Sequence, residues 1–201
     1  MITMGGFIDK LFVNRLTSLI SEKVDNGRWE YIYKGYRKKY EISPTFRFNG
    51  TDIHFIDDGR IVLGDDSYIG HGSHIQSSKG YEVRIGKNCA ISYYVMMYTA
   101  NRVTDQDFSK STMPQFGSIR IGDYCWIGVH TYINQGVRIG DDVVIGANSV
   151  VTKDMPPHCI AVGCPARVIK FKSFLSKEDI KEFTKLYWSS IDPKLKQALE
   201  D

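Results

Sequence analysis

Residues 121–156 read IGDYCWIGVHTYINQGVRIGDDVVIGANSVVTKDMP and repeat a pattern every six residues. The first position of each hexad is an aliphatic residue: Ile121, Ile127, Ile133, Ile139, Ile145 and Val151. The fifth position is small or β-branched: Cys125, Thr131, Val137, Val143 and Ser149. A period of six matches neither an amphipathic helix nor an alternating strand. It predicts short strands joined by tight corners, with three hexads to a coil, and therefore an all-β solenoid.

Two earlier stretches, 63–75 and 85–97, follow the same rule. Many of the 18 glycines occupy the second position of a hexad, where glycine tolerates φ > 0 and close packing. These are Gly64, Gly70, Gly86, Gly122, Gly128, Gly140 and Gly146. The alternative fold, an antiparallel sandwich, is disfavoured by the unbroken run of hexads. Cys89 and Cys125 fall at the small inward position, which predicts a packing role, and we interpret Cys159 and Cys164 as structural too.

The composition excludes several classes of protein. The 26 Lys and Arg residues nearly balance the 23 Asp and Glu residues, whereas nucleic-acid binders usually show a strong basic excess. No apolar run approaches the ~20 residues of a membrane span, and the start lacks the features of a signal peptide. We therefore expect a cytoplasmic protein with no nucleic-acid partner and no membrane span.

We expect three regions along the chain. They are an N-terminal helical and lead-in region (1–58), a β-helix domain (59–171) with a protruding loop (98–118), and a C-terminal helical extension (172–201). Apolar residues recur at helical spacing over 7–24, whereas the aromatic-rich stretch 29–48 is ambiguous. Ser176-Lys-Glu-Asp179 has the form of a capping box that opens a helix.

The hexads, together with Val151-Thr-Lys-Asp154 and Gly163-Cys-Pro-Ala-Arg-Val-Ile-Lys170, carry a family resemblance. Residues 60–171 resemble the hexapeptide-repeat acyltransferases, in the branch of maltose/galactoside O-acetyltransferases and xenobiotic acetyltransferases. The resemblance implies a left-handed parallel β-helix and a homotrimer with sites between subunits. It also implies an acyl-CoA donor, usually acetyl-CoA, and no metal. The implied acceptor is a sugar, a nucleotide sugar or a unit of a surface polysaccharide.

Matching the motifs residue by residue, the resemblance implies a set of coenzyme contacts. The matching positions are Trp126, Gly128, Gly146, Ala147, Thr152, Lys153, Arg167 and Lys170. The resemblance places Trp126 near the pantetheine arm and the acceptor, and the basic residues near the far end of the coenzyme. Clustered cationic donors also suit an anionic ligand on physical grounds.

One position departs from the family pattern. The family uses a histidine on the long loop as general base, and the register places it at position 102, which is Arg102 here. Arginine stays protonated and cannot serve as a base. Three explanations remain open. Another group such as His130, Asp105 or Asp107 is the base; or the acceptor is an amine that loses its own proton, while Arg102 positions an acidic acceptor or polarises the carbonyl; or activity has been lost.

The candidate catalytic residues are therefore Arg102, His130 and Asn101, and the candidate acceptor contacts are His71, His74, Tyr98, Asp105 and Asp107. The second class of function is a catalytically impaired trimeric solenoid that retains CoA binding. A third class comes from Ile69-Gly-His-Gly-Ser-His74, which superficially resembles the γ-class carbonic anhydrases. Its spacing differs and no third ligand is in register, so we predict no metal site.

Overall fold

The computed structural model describes the backbone of residues 4–200 and the side chains of residues 15–199. The chain divides into two compact units, residues 1–39 and residues from 40 onward. The first unit is one helix, α1 (Met4–Lys39), which continues well past the helix predicted over 7–24. The side chains of residues 7–14 in that prediction lie outside the described residues. In the described part of the chain, no helix is both long and apolar enough to cross a membrane.

The second unit is built from successive coils of three short strands. The first three coils are β1 (Glu41–Ile42), β2 (Arg47–Asn49) and β3 (His54–Ile56); β4 (Arg60–Leu63), β5 (Tyr68–Gly70) and β6 (His74–Gln76); and β7 (Glu82–Ile85), β8 (Ala90–Ile91) and β9 (Met96–Tyr98). A hairpin follows, made of β10 (Ala100–Arg102) and β11 (Pro114–Phe116). The later strands are β12 (Ile119–Ile121), β13 (Trp126–Ile127) and β14 (Tyr132–Ile133); β15 (Arg138–Ile139), β16 (Val144–Ile145) and β17 (Val150–Val151); and β18 (Cys159–Gly163) and β19 (Ala166–Phe171).

Each of the five complete coils contributes one strand to each of three sheets. Sheet 1 has the order β1-β4-β7-β12-β15, and sheet 3 contains β3, β6, β9, β14 and β17. Sheet 2 has the order β2-β5-β8-β13-β16-β18-β19. The pairs between coils are parallel, and only the terminal β18–β19 pair of sheet 2 is antiparallel. The predicted parallel β-solenoid is thus confirmed.

The core is a set of aliphatic columns along the solenoid. In sheet 2, for example, Ile91, Ile127 and Ile145 are consecutive partners in register, and each is fully buried. The first positions of the hexads in 121–156 are all between 0% and 3% exposed. Burial of an aliphatic side chain in each short strand is the main source of stability for such a stack.

The corners show why glycine recurs. A Cβ atom added at Gly128 would lie 2.5 Å from the backbone nitrogen of Ala147, so the next coil approaches too closely for any side chain. Neighbouring strands are only ~4.8 Å apart, which explains this crowding. The positive φ angles occur elsewhere in the corners, mainly at non-glycine residues: Asp52, Asp66, Asn88, Tyr94, Tyr124, His130, Asp142, Asn148 and His158. Hexad glycines therefore serve close packing rather than unusual backbone angles.

The solenoid includes residues 41–56, upstream of the expected boundary at residue 59. The first coil carries phenylalanines where later coils carry aliphatic residues, since Phe48 pairs with Ile69 and Phe55 pairs with Ile75. The Phe48 and Phe55 rings pack with centroids 5.8 Å apart. Because aromatic residues replace the aliphatic ones, the hexad pattern does not reveal this coil.

The C-terminal helices are α2 (Lys177–Leu186) and α3 (Pro193–Glu200), separated by a 3₁₀ turn at Trp188–Ser190. The predicted capping box is confirmed, because the Ser176 hydroxyl accepts from the Asp179 N–H and the Asp179 carboxylate accepts from the Ser176 N–H. The Ser190 hydroxyl donates to the Asp154 carbonyl at 2.6 Å. The backbone of Ile191 also bridges to Val168. These contacts fix the helices to the last coils.

Candidate functional site

Sheet 2 carries a continuous strip of small and aliphatic residues on its outer face. Strand register places Trp126, Val144, Ile160 and Lys170 in one row. The adjacent row is formed by Ser92, Gly128, Gly146, Val162 and Arg167. We call these two rows, with Ala147 at the neighbouring corner, the sheet-2 track. From β13 to β19 it spans three strand spacings, ~14 Å.

The two ends of the track differ in chemistry. At one end, the Trp126 ring is 55% exposed, and its indole N–H donates to the Ser92 hydroxyl at 3.4 Å. At the other end lie Arg167, which donates to the Ala166 carbonyl at 2.8 Å, and the exposed Lys170. In the described part of the chain, neither cation forms an ion pair. A track of this kind suits an elongated ligand with an apolar stem and an anionic end.

The corner between sheets 2 and 3 holds a column of rings beside the track. The His130 ring stacks on Tyr94 with centroids 4.9 Å apart and an angle of 4° between planes. His71 meets the same Tyr94 ring edge-on at 5.4 Å, and its Nδ1 lies 3.1 Å from the Thr51 hydroxyl. His130 follows Gly128 by two residues and so lies at the Trp126 end of the track. Two predicted site residues from different coils, His71 and His130, therefore contact the same Tyr94 ring.

Sequence reasoning missed Tyr93 and Tyr94. A side chain at Gly70 would overlap the Tyr93 ring, and one at Gly72 would overlap the Tyr94 ring. Gly72 also has φ of +69°, a conformation that disfavours any side chain. The two glycines one coil upstream therefore make room for the two tyrosines. That pairing of glycines with bulky residues in the next coil is the signal that could have identified the rings.

The hairpin carries Asn101 and Arg102 where the strands of sheet 3 end, whereas His130 lies where they begin. The Asn101 side-chain amide donates to Asn134 Oδ1 at 3.4 Å, and the Arg102 backbone N–H donates to Asn101 Oδ1 at 2.9 Å. The Arg102 side chain is exposed. Asn134 follows β14 whereas His130 precedes it, so ~13 Å of extended chain separates them. Arg102 and His130 of one subunit are therefore not brought together.

The other loop candidates have separate environments. Tyr98 lies on β9 and its ring meets Tyr132 edge-on at 5.6 Å. The Asp107 carboxylate accepts from Ser109 and pairs with Lys110 at 3.0 Å. These hydrogen bonds, that from Ser109 first, hold the pKa of Asp107 below its usual range. Its geometry is that of a loop-shaping residue, while Asp105 is exposed.

Thr152 and Lys153 follow β17 and lie away from the sheet-2 track. Lys153 lines a separate cavity of about 590 Å³ together with Asp154, Tyr187 and Ser190. The eight predicted coenzyme contacts therefore divide into two places. Six lie on the track or its corner, and the Thr-Lys pair lies beside the C-terminal helices.

His74 pairs with its neighbour His54 on the outer face of sheet 3. Their ring centroids are 4.9 Å apart, and His54 Nε2 lies 2.8 Å from the Asp52 carboxylate. Burial and, secondly, the proximity of His54 lower the pKa of His74 below its ordinary value of 6.5. His74 lies on β6 and His71 lies at the corner, so the two predicted acceptor contacts are in different surroundings.

The His74 environment predicts a pH-dependent stability. A lowered pKa in the folded state means that unfolded chains bind the proton more readily below pH 6.5. We expect stability to fall as pH decreases through the folded pKa, and His74→Gln to reduce that fall. Urea midpoints of the wild type and of His74→Gln at pH 7.5 and 5.5 test this. An unchanged pH dependence in His74→Gln would contradict the assignment.

Three of the four cysteines lie in the core of the solenoid. Cys89, Cys125 and Cys159 are buried, and burial raises the pKa of Cys159 to about 12. A thiol with a raised pKa is a poor nucleophile. Cys164 is exposed. Among residues 15–199, no group of three or more His, Cys, Asp or Glu side chains lies close enough to hold a metal ion.

Comparison with known proteins identifies the class of protein to which the chain is similar. Residues 118–153 match the family of bacterial hexapeptide transferases with six repeats. The chain is 30% identical over 193 residues to the chloramphenicol acetyltransferase of Morganella morganii. This alignment covers 92% of the chain and 85% of that relative. The chain is also 37% identical over 118 residues to the galactoside O-acetyltransferase of Escherichia coli K12. That second match covers 59% of the chain and only 57% of the relative.

A solved structure agrees with these matches. The hexapeptide-repeat acetyltransferase VCA0836 of Vibrio cholerae, complexed with acetyl coenzyme A, superposes with a TM-score of 0.54 at 29% identity. The alignment covers 69% of the chain and 75% of that protein. The chain belongs to the family of hexapeptide-repeat acetyltransferases, and its fold is the left-handed parallel β-helix of that family.

Proposed function

We propose that the protein transfers an acetyl group from acetyl-CoA to a hydroxyl or amine of a sugar-type acceptor. Such acceptors are a sugar, a nucleotide sugar or a unit of a surface polysaccharide. The observation that carries the proposal is the sheet-2 track, which runs from Trp126 to the cations Arg167 and Lys170. A pantetheine arm would lie over the small residues, and the phosphates would meet the cations. Lys153 would contribute a further cation from its separate cavity.

The proposed chemistry is direct transfer. The acceptor oxygen or nitrogen attacks the thioester carbonyl, its proton passes to a base, and the coenzyme leaves as a thiol. His130 is the candidate base, because it lies at the Trp126 end of the track and its ring is held against Tyr94. A positioned histidine contributes typically ~10²–10⁴ in rate. Backbone N–H groups at the corner would stabilise the oxyanion.

We also propose a homotrimer with sites between subunits. The placement of His130 and of the hairpin at opposite ends of β14, ~13 Å of extended chain apart, supports this, since the hairpin of one subunit would have to complete the site of another. Arg102 would then position an acidic acceptor or polarise the carbonyl rather than remove a proton. The cytoplasm, where acetyl-CoA is available, is the expected setting.

A second candidate function is a solenoid that binds the coenzyme without efficient transfer. The observation that favours it is Arg102, which stands exposed on the hairpin at the position where the resemblance places a histidine. Both candidate functions use the track to bind the coenzyme, so coenzyme binding does not distinguish them. Transfer of the acetyl group to an acceptor does distinguish them.

Acetyl-CoA binding and turnover test both proposals. We expect calorimetry to give a Kd of ~1 μM–1 mM, the range that is usual for the KM of enzymes. We also expect thiol release with at least one member of a panel of sugars and aminosugars. No acetyl-CoA binding would contradict the main proposal, whereas binding without turnover on any acceptor would favour the second.

Arg102→His is expected to raise turnover on hydroxyl acceptors, because it restores a titratable group at the hairpin position. Arg102→Gln is the matched control, since it removes the same charge without supplying a base. Initial rates of thiol release over the same panel measure the effect. Equal rates in the two variants would show that position 102 does not limit proton removal.

A further inference from the structure

A second concave site lies outside the track, between α2 and α3. It is a cavity of about 730 Å³, and we call it the lysine groove. Its lining is formed by Lys177, Ile180, Lys181, Thr184, Lys185, Trp188, Lys196, Ala198 and Leu199. None of these residues belongs to the track or the hairpin, so the proposed acetyl transfer leaves the groove without a role.

The lysines of α2 follow one side of the groove. Lys177, Lys181 and Lys185 recur every four residues, which places them along one helix face over ~12 Å. Lys196 reaches the groove from α3, and its Nζ lies 4.2 Å from the centre of the Trp188 ring. In the described part of the chain, none of these lysines forms an ion pair. Four lysines therefore line one cavity without an ion-pair partner among residues 15–199.

The rest of the lining is apolar and partly open. Trp188 is 45% exposed and Leu199 is 42% exposed, so a ligand would remove a large apolar surface from water. The Thr184 hydroxyl already donates to the Ile180 carbonyl at 2.7 Å and offers no free donor. The groove thus combines an apolar floor with a cationic rim.

The walls of the groove are fixed before any ligand arrives. The capping box starts α2, the Phe183 ring stacks on Phe171 of β19 at 6.2 Å, and Ser190 is tied to Asp154. The buried Ile191 holds the start of α3 against β19. A preformed cavity loses little entropy on binding.

From this lining we infer that the lysine groove binds one phosphorylated amphiphile, with its hydrocarbon chain on Trp188 and Leu199 and its phosphate among Lys181, Lys185 and Lys196. The cavity volume is that of a small-molecule site rather than of a protein interface. Ammonium groups on flexible stems bind phosphate as point charges. The concave shape favours a single inserted chain over a flat membrane surface.

Calorimetric titration with decyl phosphate, kept below its micelle concentration, tests the inference. We expect binding by the wild type, and about tenfold weaker binding by the double variant Lys181→Ala/Lys185→Ala. Leu199→Asn should also weaken it, because the chain loses an apolar contact. Lys79→Ala, an exposed lysine elsewhere, is the matched control and should bind like the wild type.

The inference would be overturned by no binding of decyl phosphate, by wild-type binding in the double variant, or by equal binding of the uncharged decyl maltoside. Binding to phosphatidate vesicles without binding to the monomer would likewise replace it with a membrane surface. Acetyl-CoA affinity measured in parallel should be the same in the double variant and the wild type. Decyl phosphate binding thus tests the lysine groove, and acetyl-CoA binding separately tests the acetyl-transfer proposal.

Discussion

His130→Ala is expected to lower turnover about 10²–10⁴-fold, the usual contribution of a positioned general base. The acetyl-CoA affinity should change little, because the track itself is untouched. Rates of thiol release at saturating acetyl-CoA measure the first quantity, and calorimetry measures the second. A loss confined to the rate would identify His130 as a group that acts on the acceptor proton.

The control for His130→Ala must account for its backbone. His130 has a φ of 57°, and His158 has a similar φ of 56° in a different corner, just before β18. His158→Ala therefore imposes the same type of backbone change where the sheet-2 strand β18 begins, away from Trp126, and should keep its turnover. His130→Asn is a second variant that keeps the corner, because Asn148 occupies the equivalent corner of the next coil with φ of 56°. Full turnover in His130→Ala would show that another group is the base.

Ile127→Ala is expected to cost about 2–5 kcal/mol of unfolding free energy. Ile127 is fully buried and lies between Ile91 and Ile145 in the sheet-2 column. Adjacent coils cannot close the cavity, because their spacing is set by hydrogen bonds between strands. Urea denaturation at a constant protein concentration measures the change.

Ile169→Ala is the matched control for Ile127→Ala. Ile169 lies on β19 and is 44% exposed, so its removal should change stability by about 0.5 kcal/mol or less. The contrast tests whether the aliphatic column, rather than hydrophobicity in general, holds the coils together. Similar losses for both variants would contradict the columnar core.

Sequence periodicity predicted the later coils because their structure is local. Each hexad contains one short strand and one corner, so an aliphatic residue every six positions is enough to define the coil. The first coil escaped detection because Phe48 and Phe55 replace the aliphatic residues of later coils. A rule based on residue type does not register an aromatic residue that fills the same space.

The candidate site was predictable only in part. The motifs around Trp126, Gly146 and Arg167 identify the track, because neighbouring coils place equivalent positions side by side. Tyr94 was missed, since its importance depends on contacts with His71 and His130 from two other coils. The lysine groove was also beyond sequence reasoning, because it requires the relative positions of α2 and α3.

The sequence by itself determined the repeating coil, its buried aliphatic columns and the family to which the chain belongs. These features follow from the six-residue repeat, because the position of a residue within its hexad determines whether it is buried or exposed. Only the tertiary structure decided that the hexad glycines serve close approach, whereas Asp, Asn, Tyr and His residues adopt the positive φ angles. It also decided that His130 lies where the strands of sheet 3 begin, whereas Arg102 lies where they end. The physical reason is that coil-to-coil spacing and strand direction, not residue order, determine which side chains meet.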